Sequence, residues 1–127
     1  MVNIKRYCIY NDTHEGDNVF NVYKGYPLSS PFVVNKVKGD TNSIKVKNNE
    51  ILMEKYEKYF YKSMELNQLF KDSFYKIVEK VMENNGDVYI ATTYKDEEEC
   101  YVDFLINEVR KTCLRLFIKS KIKKSFL

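Results

Sequence analysis

The stretch "NNGDVYIATTYKDEEECYVDFL" (84–105) contains the signals from which the fold of this chain is predicted. "NNG" (84–86) is typical of a helix stop, because Gly86 is free to take the left-handed backbone conformation. "DVYIATTY" (87–94) is a short β-branched and aromatic run, which indicates a buried strand. The acidic run "KDEEE" (95–99) places carboxylates where a following helix would begin, and the helix dipole favours them there. A helix, a strand and a further helix are therefore predicted in that order.

Helical spacing extends on both sides of this stretch. Apolar residues recur every three or four positions in "EILMEKYEKYFYKSMEL" (50–66) and in "NQLFKDSFYKIVEKVMENNG" (67–86). After it, "CYVDFLINEVRKTCLRLFIKSKIKK" (100–124) is predicted as one long helix. The predicted apolar stripe of that helix is Tyr101, Leu105, Val109, Cys113, Leu116 and Phe117.

The N-terminal part has the character of strands and turns. "IKRYCIY" (4–10) and "VFNVYK" (19–24) are predicted to pair as a hairpin, and "FVVNKV" (32–37) is a third short extended segment. "KGDTNSIKVKNN" (38–49) is turn-rich and polar, so we expect a mobile excursion. The prediction is one α/β (α+β) domain over residues 1–127, with a small sheet from the hairpin plus a later strand, covered by three helices.

Composition excludes several classes of protein. The three cysteines form no CxxC pair, so neither a disulfide framework nor a zinc site is supported, and we expect no metal and no cofactor. The first residues do not form a signal peptide and no run reaches membrane-spanning length, so we expect no membrane partner and a location in the cytoplasm.

Charge is unevenly distributed along the chain. The net charge is +3, but the segment from Arg110 to the end has seven basic residues and no acidic one, which leaves −4 for residues 1–109. Such an end suggests an anionic partner, or lysines that favour the negative pole of a helix. The apolar set of the last helix is longer than one helix face needs, so we also expect a partner surface, most simply a homodimer seam.

No catalytic constellation is recognisable. The single histidine, His14, lies in a polar loop, and no GxSxG, HExxH or P-loop pattern occurs. The run of carboxylates at 96–99 is interpreted as a solvated face. We therefore do not predict an enzyme.

"GYPLSSPFVV" (25–34) contains both prolines and one of only four glycines. Gly25 permits a turn with positive φ, and the prolines fix φ, so a rigid loop is predicted. Such a loop could hold a phosphate through its amides and stack a base on an aromatic ring. The alternative is a structural turn that places Phe32 in the core.

The segment "VYKGYPLSSPF" (22–32) resembles the signature Y-x-G-(R)-x-S-P-L-G-N-P-F of a small bacterial and phage domain of unknown function. In that domain a helix opening C-H-G-D follows, and here Cys100 and Asp103 stand at its cysteine and acidic positions. The chain departs from the pattern at three places: Tyr101 replaces the histidine, Ser29-Ser30 replace Gly-Asn, and the loop arginine is absent, with Lys24 as the nearest basic residue.

In length, motif order and Lys- and Asn-rich composition, the chain resembles the first Thoeris anti-defence family of phage proteins. The resemblance implies a protein of the host cytoplasm that binds and sequesters cyclic ADP-ribose isomers made by TIR-domain defence enzymes, without cleaving them. It also implies a homodimer, with cyclic oligonucleotides at separate sites of a larger assembly, up to a hexamer.

Under this resemblance, Tyr26 or Phe32 would stack the adenine, Arg110 would form a bidentate contact with phosphate, and Asp103 would accept from a ribose hydroxyl. The full set of ligand-binding candidates is Lys24, Tyr26, Ser29, Phe32, Thr92, Thr93, Tyr94, Asp103, Arg110 and Arg115. Each also has an ordinary structural interpretation, such as a surface arginine or a strand threonine. The alternative functions are a nucleotide-degrading enzyme, a small basic nucleic-acid-binding regulator and an inhibitor that blocks a host protein directly.

Overall fold

The computed structural model describes residues 3–32, 42–93 and 100–125. The elements in these ranges are β1 (Ile4–Cys8), β2 (Val19–Asn21), α1 (Asn42–Leu66), α2 (Gln68–Glu83), β3 (Val88–Thr92) and α3 (Cys100–Ser125). The predicted α+β architecture with three helices and a long last helix is confirmed.

The sheet has the strand order β1-β3-β2, and both outer strands run parallel to β3. The predicted N-terminal hairpin is therefore wrong, because β1 and β2 pair with β3 and not with each other. The connection over residues 9–18 is long enough to return to the other end of the sheet, as parallel pairing requires, and no tight hairpin turn joins the two strands. Its last residue, Asn18, donates a side-chain hydrogen bond to the Asp87 carbonyl at 2.9 Å.

The boundaries of the helices differ from the prediction in two places. α1 begins at Asn42, inside the segment predicted to be a mobile excursion. The helix stop after α2 is confirmed, but the left-handed residue at the cap is Asn84, at φ 58° and ψ 37°, whereas Gly86, at φ 131°, leads the chain into β3. The predicted extended segment falls outside the described residues except for Phe32.

The core lies between the helices and the inner face of the sheet. Phe60 is at its centre and makes edge-to-face contacts with Phe70, Phe74 and Phe104 at centroid distances of 5.6, 5.2 and 5.4 Å. The inner face of the sheet and α3 complete this core with the buried residues Ile4, Val88, Ile90, Val102, Leu105, Ile106 and Val109. The predicted stripe on α3 is wrong beyond Cys113, since Leu116 and Phe117 are 37% and 52% exposed.

Candidate functional site

The candidate site lies at the carboxyl edge of the parallel sheet, where ligands of open α/β sheets are commonly bound. The loop of residues 22–32 follows β2 at this edge, Thr93 follows β3, and α3 begins nearby. The hydroxyl of Tyr101, in the first turn of α3, donates to the Val22 carbonyl at 2.9 Å. This bond joins the start of α3 to the start of the loop.

The loop consists of two consecutive turns. The amide of Tyr26 donates to the Tyr23 carbonyl, and the amide of Ser29 donates to the Tyr26 carbonyl, both at 3.1 Å. Gly25 is the third residue of the first turn and has φ 101°, the region that a type II turn requires at that position. The predicted role of this glycine is therefore confirmed.

Two buried residues fix the loop to the body of the protein. Val22 is fully buried and its amide donates to the Ala91 carbonyl at 3.2 Å, while Leu28 is 2% exposed. The hydroxyl of Tyr56 in α1, itself buried, donates to the Leu28 carbonyl at 2.9 Å. The loop is thus held to the body of the protein by a backbone bond at Val22 and a side-chain bond at Leu28.

Leu28, and not Phe32, is the loop residue inserted into the core. Phe32 is half-buried and meets the Tyr59 ring edge-on at a centroid distance of 6.0 Å. The ammonium of Lys55 lies 5.9 Å from the Phe32 ring centroid. Because one side of this ring packs on α1, Tyr26, which is 40% exposed, offers the more accessible ring.

Four tyrosines near this edge form what we call the tyrosine surface, namely Tyr7, Tyr10, Tyr23 and Tyr26. The rings of Tyr23 and Tyr26 are perpendicular at a centroid distance of 4.9 Å. A hydrogen bond with Tyr26 raises the pKa of Tyr23, and the nearby Tyr7 and Tyr10 hydroxyls raise it further. Tyr10 is 78% exposed, so the surface presents two accessible rings to solvent.

Three members of the tyrosine surface were not predicted from the sequence. Tyr7, Tyr10 and Tyr23 lie at or just after the ends of β1 and β2. A hairpin would have placed the end of β1 beside the start of β2, whereas the observed parallel pairing brings both carboxyl ends to one edge. Recognition that the two strands are parallel would have identified this aromatic cluster.

The polar candidates at this edge have different surroundings. Lys24 is exposed on the loop and Thr93 is half-buried, whereas Thr92 is 1% exposed and its hydroxyl donates to the Tyr7 carbonyl at 3.3 Å. The Thr92 hydroxyl therefore links β3 to β1. Ser29, another candidate, is half-buried, and Tyr94 lies outside the described residues.

Asp103 accepts a hydrogen bond at 2.7 Å from the guanidinium of Arg6, a residue that sequence analysis did not single out. The Arg6 side chain is 14% exposed and that of Asp103 is 64% exposed. Arg6 faces α3 from the middle of β1, so it links the edge strand to the first turn of the helix. The carboxylate that was predicted to bind ribose is thus already engaged, with its outer side open to solvent.

Arg110 and Arg115 are separated from the loop. They follow Cys100 by ten and fifteen residues, which corresponds to about 15 and 22 Å along the axis of α3. Arg110 is exposed, and Arg115 donates to the Thr112 hydroxyl at 3.1 Å. The predicted residues therefore form two groups, one at the carboxyl edge and one farther along α3.

His14 packs on the outer face of the sheet. Its ring is stacked on Tyr89 at a centroid distance of 3.9 Å and an interplanar angle of 15°, and it meets Tyr7 edge-on at 4.7 Å. Its Nε2 lies 2.8 Å from a carboxylate oxygen of Asp12. The backbone amide of Thr13 and then His14 lower the pKa of Asp12. Across the described ranges, no hydroxyl or thiol is hydrogen-bonded to the imidazole. The stacking of His14 on Tyr89 places the connection of residues 9–18 against the sheet.

The other reactive groups give no metal centre among residues 3–32, 42–93 and 100–125. No group of three or more His, Cys, Asp or Glu side chains in these ranges is placed to hold a metal ion. Burial raises the pKa of the Cys113 thiol, which disfavours the reactive thiolate. The chain matches no protein-family model, no curated protein and no solved structure. The function is therefore inferred from the residues and their geometry.

Proposed function

We propose that this protein binds an anionic nucleotide at the carboxyl edge of its sheet and holds it without converting it. The observation that carries the proposal is the loop of residues 22–32, which is tied to the core at Val22 and Leu28 and presents Tyr26 and Lys24 to solvent. The resemblance of the chain to the first Thoeris anti-defence family in length, motif order and composition makes a cyclic ADP-ribose isomer the first ligand to test. Sequestering such a signal would block Thoeris-type defence in the host cytoplasm.

The proposed contacts are a stacked base and charge-assisted hydrogen bonds. The adenine stacks on Tyr26 or Tyr10, Lys24 contacts the pyrophosphate, and loop hydroxyls contact the riboses. One stacked base contributes about 1–3 kcal/mol, and a hydrogen bond to a charged group contributes about 1.5–3 kcal/mol. Several such contacts reach the roughly 8 kcal/mol of a micromolar complex. The fixed loop favours tight binding because little conformational entropy is lost when the ligand docks.

The proposal includes a homo-oligomer. Two leucines at the turn between α1 and α2, Leu66 and Leu69, are 71% and 66% exposed. We take these two exposed leucines as the contact between copies in this proposal. Light scattering of the purified wild-type chain and of the Leu69→Gln variant measures the oligomeric state and the contribution of Leu69 to it.

The direct experiment is calorimetric titration with cyclic ADP-ribose isomers, followed by heat denaturation and mass spectrometry of the released ligand. We expect Tyr26→Ala to raise Kd by roughly 5- to 150-fold, the loss of one stacked base. Tyr75→Ala is the matched control, since Tyr75 is 36% exposed and lies on α2, away from the loop. Recovery of intact ligand supports sequestration, whereas recovery of a cleaved product would replace it with a nucleotide-degrading enzyme.

A further inference from the structure

The distal segment of α3, defined here as residues 114–125, carries large apolar side chains that the rest of the described chain does not cover. Leu114, Phe117, Ile118 and Ile122 are 56%, 52%, 47% and 53% exposed. Leu114, Ile118 and Ile122 recur at four residues and so share one side of the helix, whereas Phe117 follows the half-buried Cys113 by one turn and borders the core side. Leu116, at 37%, instead continues the line of the buried residues.

The apolar side of the distal segment points away from the body of the protein. Val109 and Leu105 are buried against the core, and each is followed nine residues later by an exposed apolar residue, Ile118 and Leu114 respectively. Nine residues are two and a half turns of an α-helix, which places each pair on opposite sides. The first half of α3 therefore turns its apolar side to the core, and the distal segment turns its apolar side outward.

Basic residues flank this outward apolar side. Arg115 and Lys119 are exposed and lie one turn apart beside it, and the ammonium of Lys121 lies 4.8 Å from the Phe117 ring centroid. The sequence continues with Lys123 and Lys124, and it contains no acidic residue after Glu108. A basic helix with one apolar side is typical of segments that lie in the interface of an anionic membrane.

We infer that the distal segment of α3 docks on an anionic lipid surface, with Leu114, Ile118 and Ile122 entering the headgroup region and the flanking lysines contacting phosphates. A planar surface can reach these side chains because they point away from the domain. This docking is peripheral, since no described helix is long and apolar enough to cross a bilayer. It departs from the expectation of no membrane partner, which considered membrane-spanning runs alone.

Charge favours lipid over a second copy as the occupant of this face. The segment from Arg110 onward has seven basic residues and no acidic one, so apposing two distal segments through their apolar sides brings like charges together. An anionic bilayer instead attracts each nearby lysine or arginine. The inference is independent of the nucleotide site, because its test requires no ligand.

The test is sedimentation of the full chain with phosphatidylcholine vesicles, with and without phosphatidylglycerol, at low and at high salt. We expect at least roughly tenfold more binding to the anionic vesicles, reduced by salt. Leu114→Gln with Ile118→Gln should remove this binding, while Ile51→Gln should leave it intact. Ile51 is the matched control because it is 43% exposed on α1, against 47% for Ile118. Glutamine is a good helix former, so unchanged circular dichroism verifies the fold of each variant.

Three results would overturn the inference. The first is equal binding of the wild-type chain to neutral and anionic vesicles, or binding to neither. The second is an equal loss of binding in Ile51→Gln. The third is a dimer in light scattering that becomes a monomer in the Leu114 and Ile118 variant, without vesicle binding by the wild-type chain, which would assign the distal segment to a second copy.

Discussion

The hydrogen bond from Tyr56 to the Leu28 carbonyl is the contact whose removal tests the rigidity of the loop most cleanly. Tyr56→Phe deletes only the hydroxyl and keeps the ring among Tyr59, Phe60 and Tyr101. Burial raises the pKa of Tyr56 well above its ordinary value, so the hydroxyl stays protonated and donates across the accessible pH range. The variant therefore isolates one buried bond of 2.9 Å.

The expected cost follows from burial of both partners. Tyr56 is fully buried and Leu28 is 2% exposed, so the carbonyl left behind has little access to water. An unsatisfied buried acceptor costs about 1–3 kcal/mol of unfolding free energy. Urea denaturation should show this loss as a lower midpoint with an unchanged slope. Faster amide exchange at Ser29, which closes the second turn of the loop, should accompany it.

The control is Tyr75→Phe, which removes the hydroxyl of a tyrosine that is 36% exposed on α2. Its effect should stay within about 0.5 kcal/mol, as for most surface substitutions. If the two variants had the same stability, or if Ser29 exchanged at the wild-type rate in Tyr56→Phe, the bond would not hold the loop and the reasoning would be refuted.

Three further predictions concern the backbone and the charges. Gly25→Ala should lower the free energy of unfolding by about 1 kcal/mol or more, because φ is 101° at this residue. Steric contact is not the cause, since no atom lies within 4 Å of the added Cβ. An unchanged melting temperature would contradict this prediction. Asn84→Gly should leave the stability unchanged or raise it, and Asn84→Ala should lower it by about 1 kcal/mol, since φ is 58° at this helix cap. Equal melting temperatures of the two variants would contradict the left-handed conformation of Asn84. Lys80 lowers the pKa of Asp17 below its ordinary value, so the pair stabilises the fold above that value and the stabilisation is lost as pH falls through the lowered pKa. Asp17→Asn should therefore reduce the acid sensitivity of unfolding, and identical pH profiles would exclude this contribution.

Much of the fold could be predicted from the sequence because local signals determine it. Helical spacing located α2 and α3, and the stop at "NNG" and the run "VYIAT" located the end of α2 and the central strand. The topology could not be predicted, because two short strands separated by ten residues can pair with each other or with a distant third strand. Both strands pair with β3, which becomes the central strand. Its residues Val88, Ile90, Ala91 and Thr92 are all buried.

In the candidate site too, local features could be predicted from the sequence, whereas contacts between distant segments could not. The turn at Gly25 could be predicted because a positive φ favours glycine. The rigidity expected from the two prolines stays a prediction. The pairing of Arg6 with Asp103 could not be predicted, since ninety-seven residues separate them and only the parallel sheet brings β1 beside the start of α3. The position of Arg110 could not be judged either, because spacing along a helix does not reveal which end of the sheet that part of the helix covers.

The reversal of the apolar side of α3 has a simple origin in sequence. Buried positions such as Leu105 and Val109 recur at four residues, and the exposed positions Leu114, Ile118 and Ile122 also recur at four, but the two series are offset by half a turn. The sequence prediction treated α3 as one stripe and so extended the core side too far. Recognising the offset separates the half of the helix that stabilises the domain from the half available for docking.

The most direct test of the central claim is backbone amide chemical-shift mapping of the isotope-labelled chain during titration with a cyclic ADP-ribose isomer. A nucleotide held by the fixed loop at the carboxyl edge predicts the largest shifts between Val22 and Phe32 and at Thr93, with small shifts along α3 beyond Val109. Shifts centred on Arg110 and Arg115 with an unperturbed loop, or no shifts at saturating ligand, would contradict the claim.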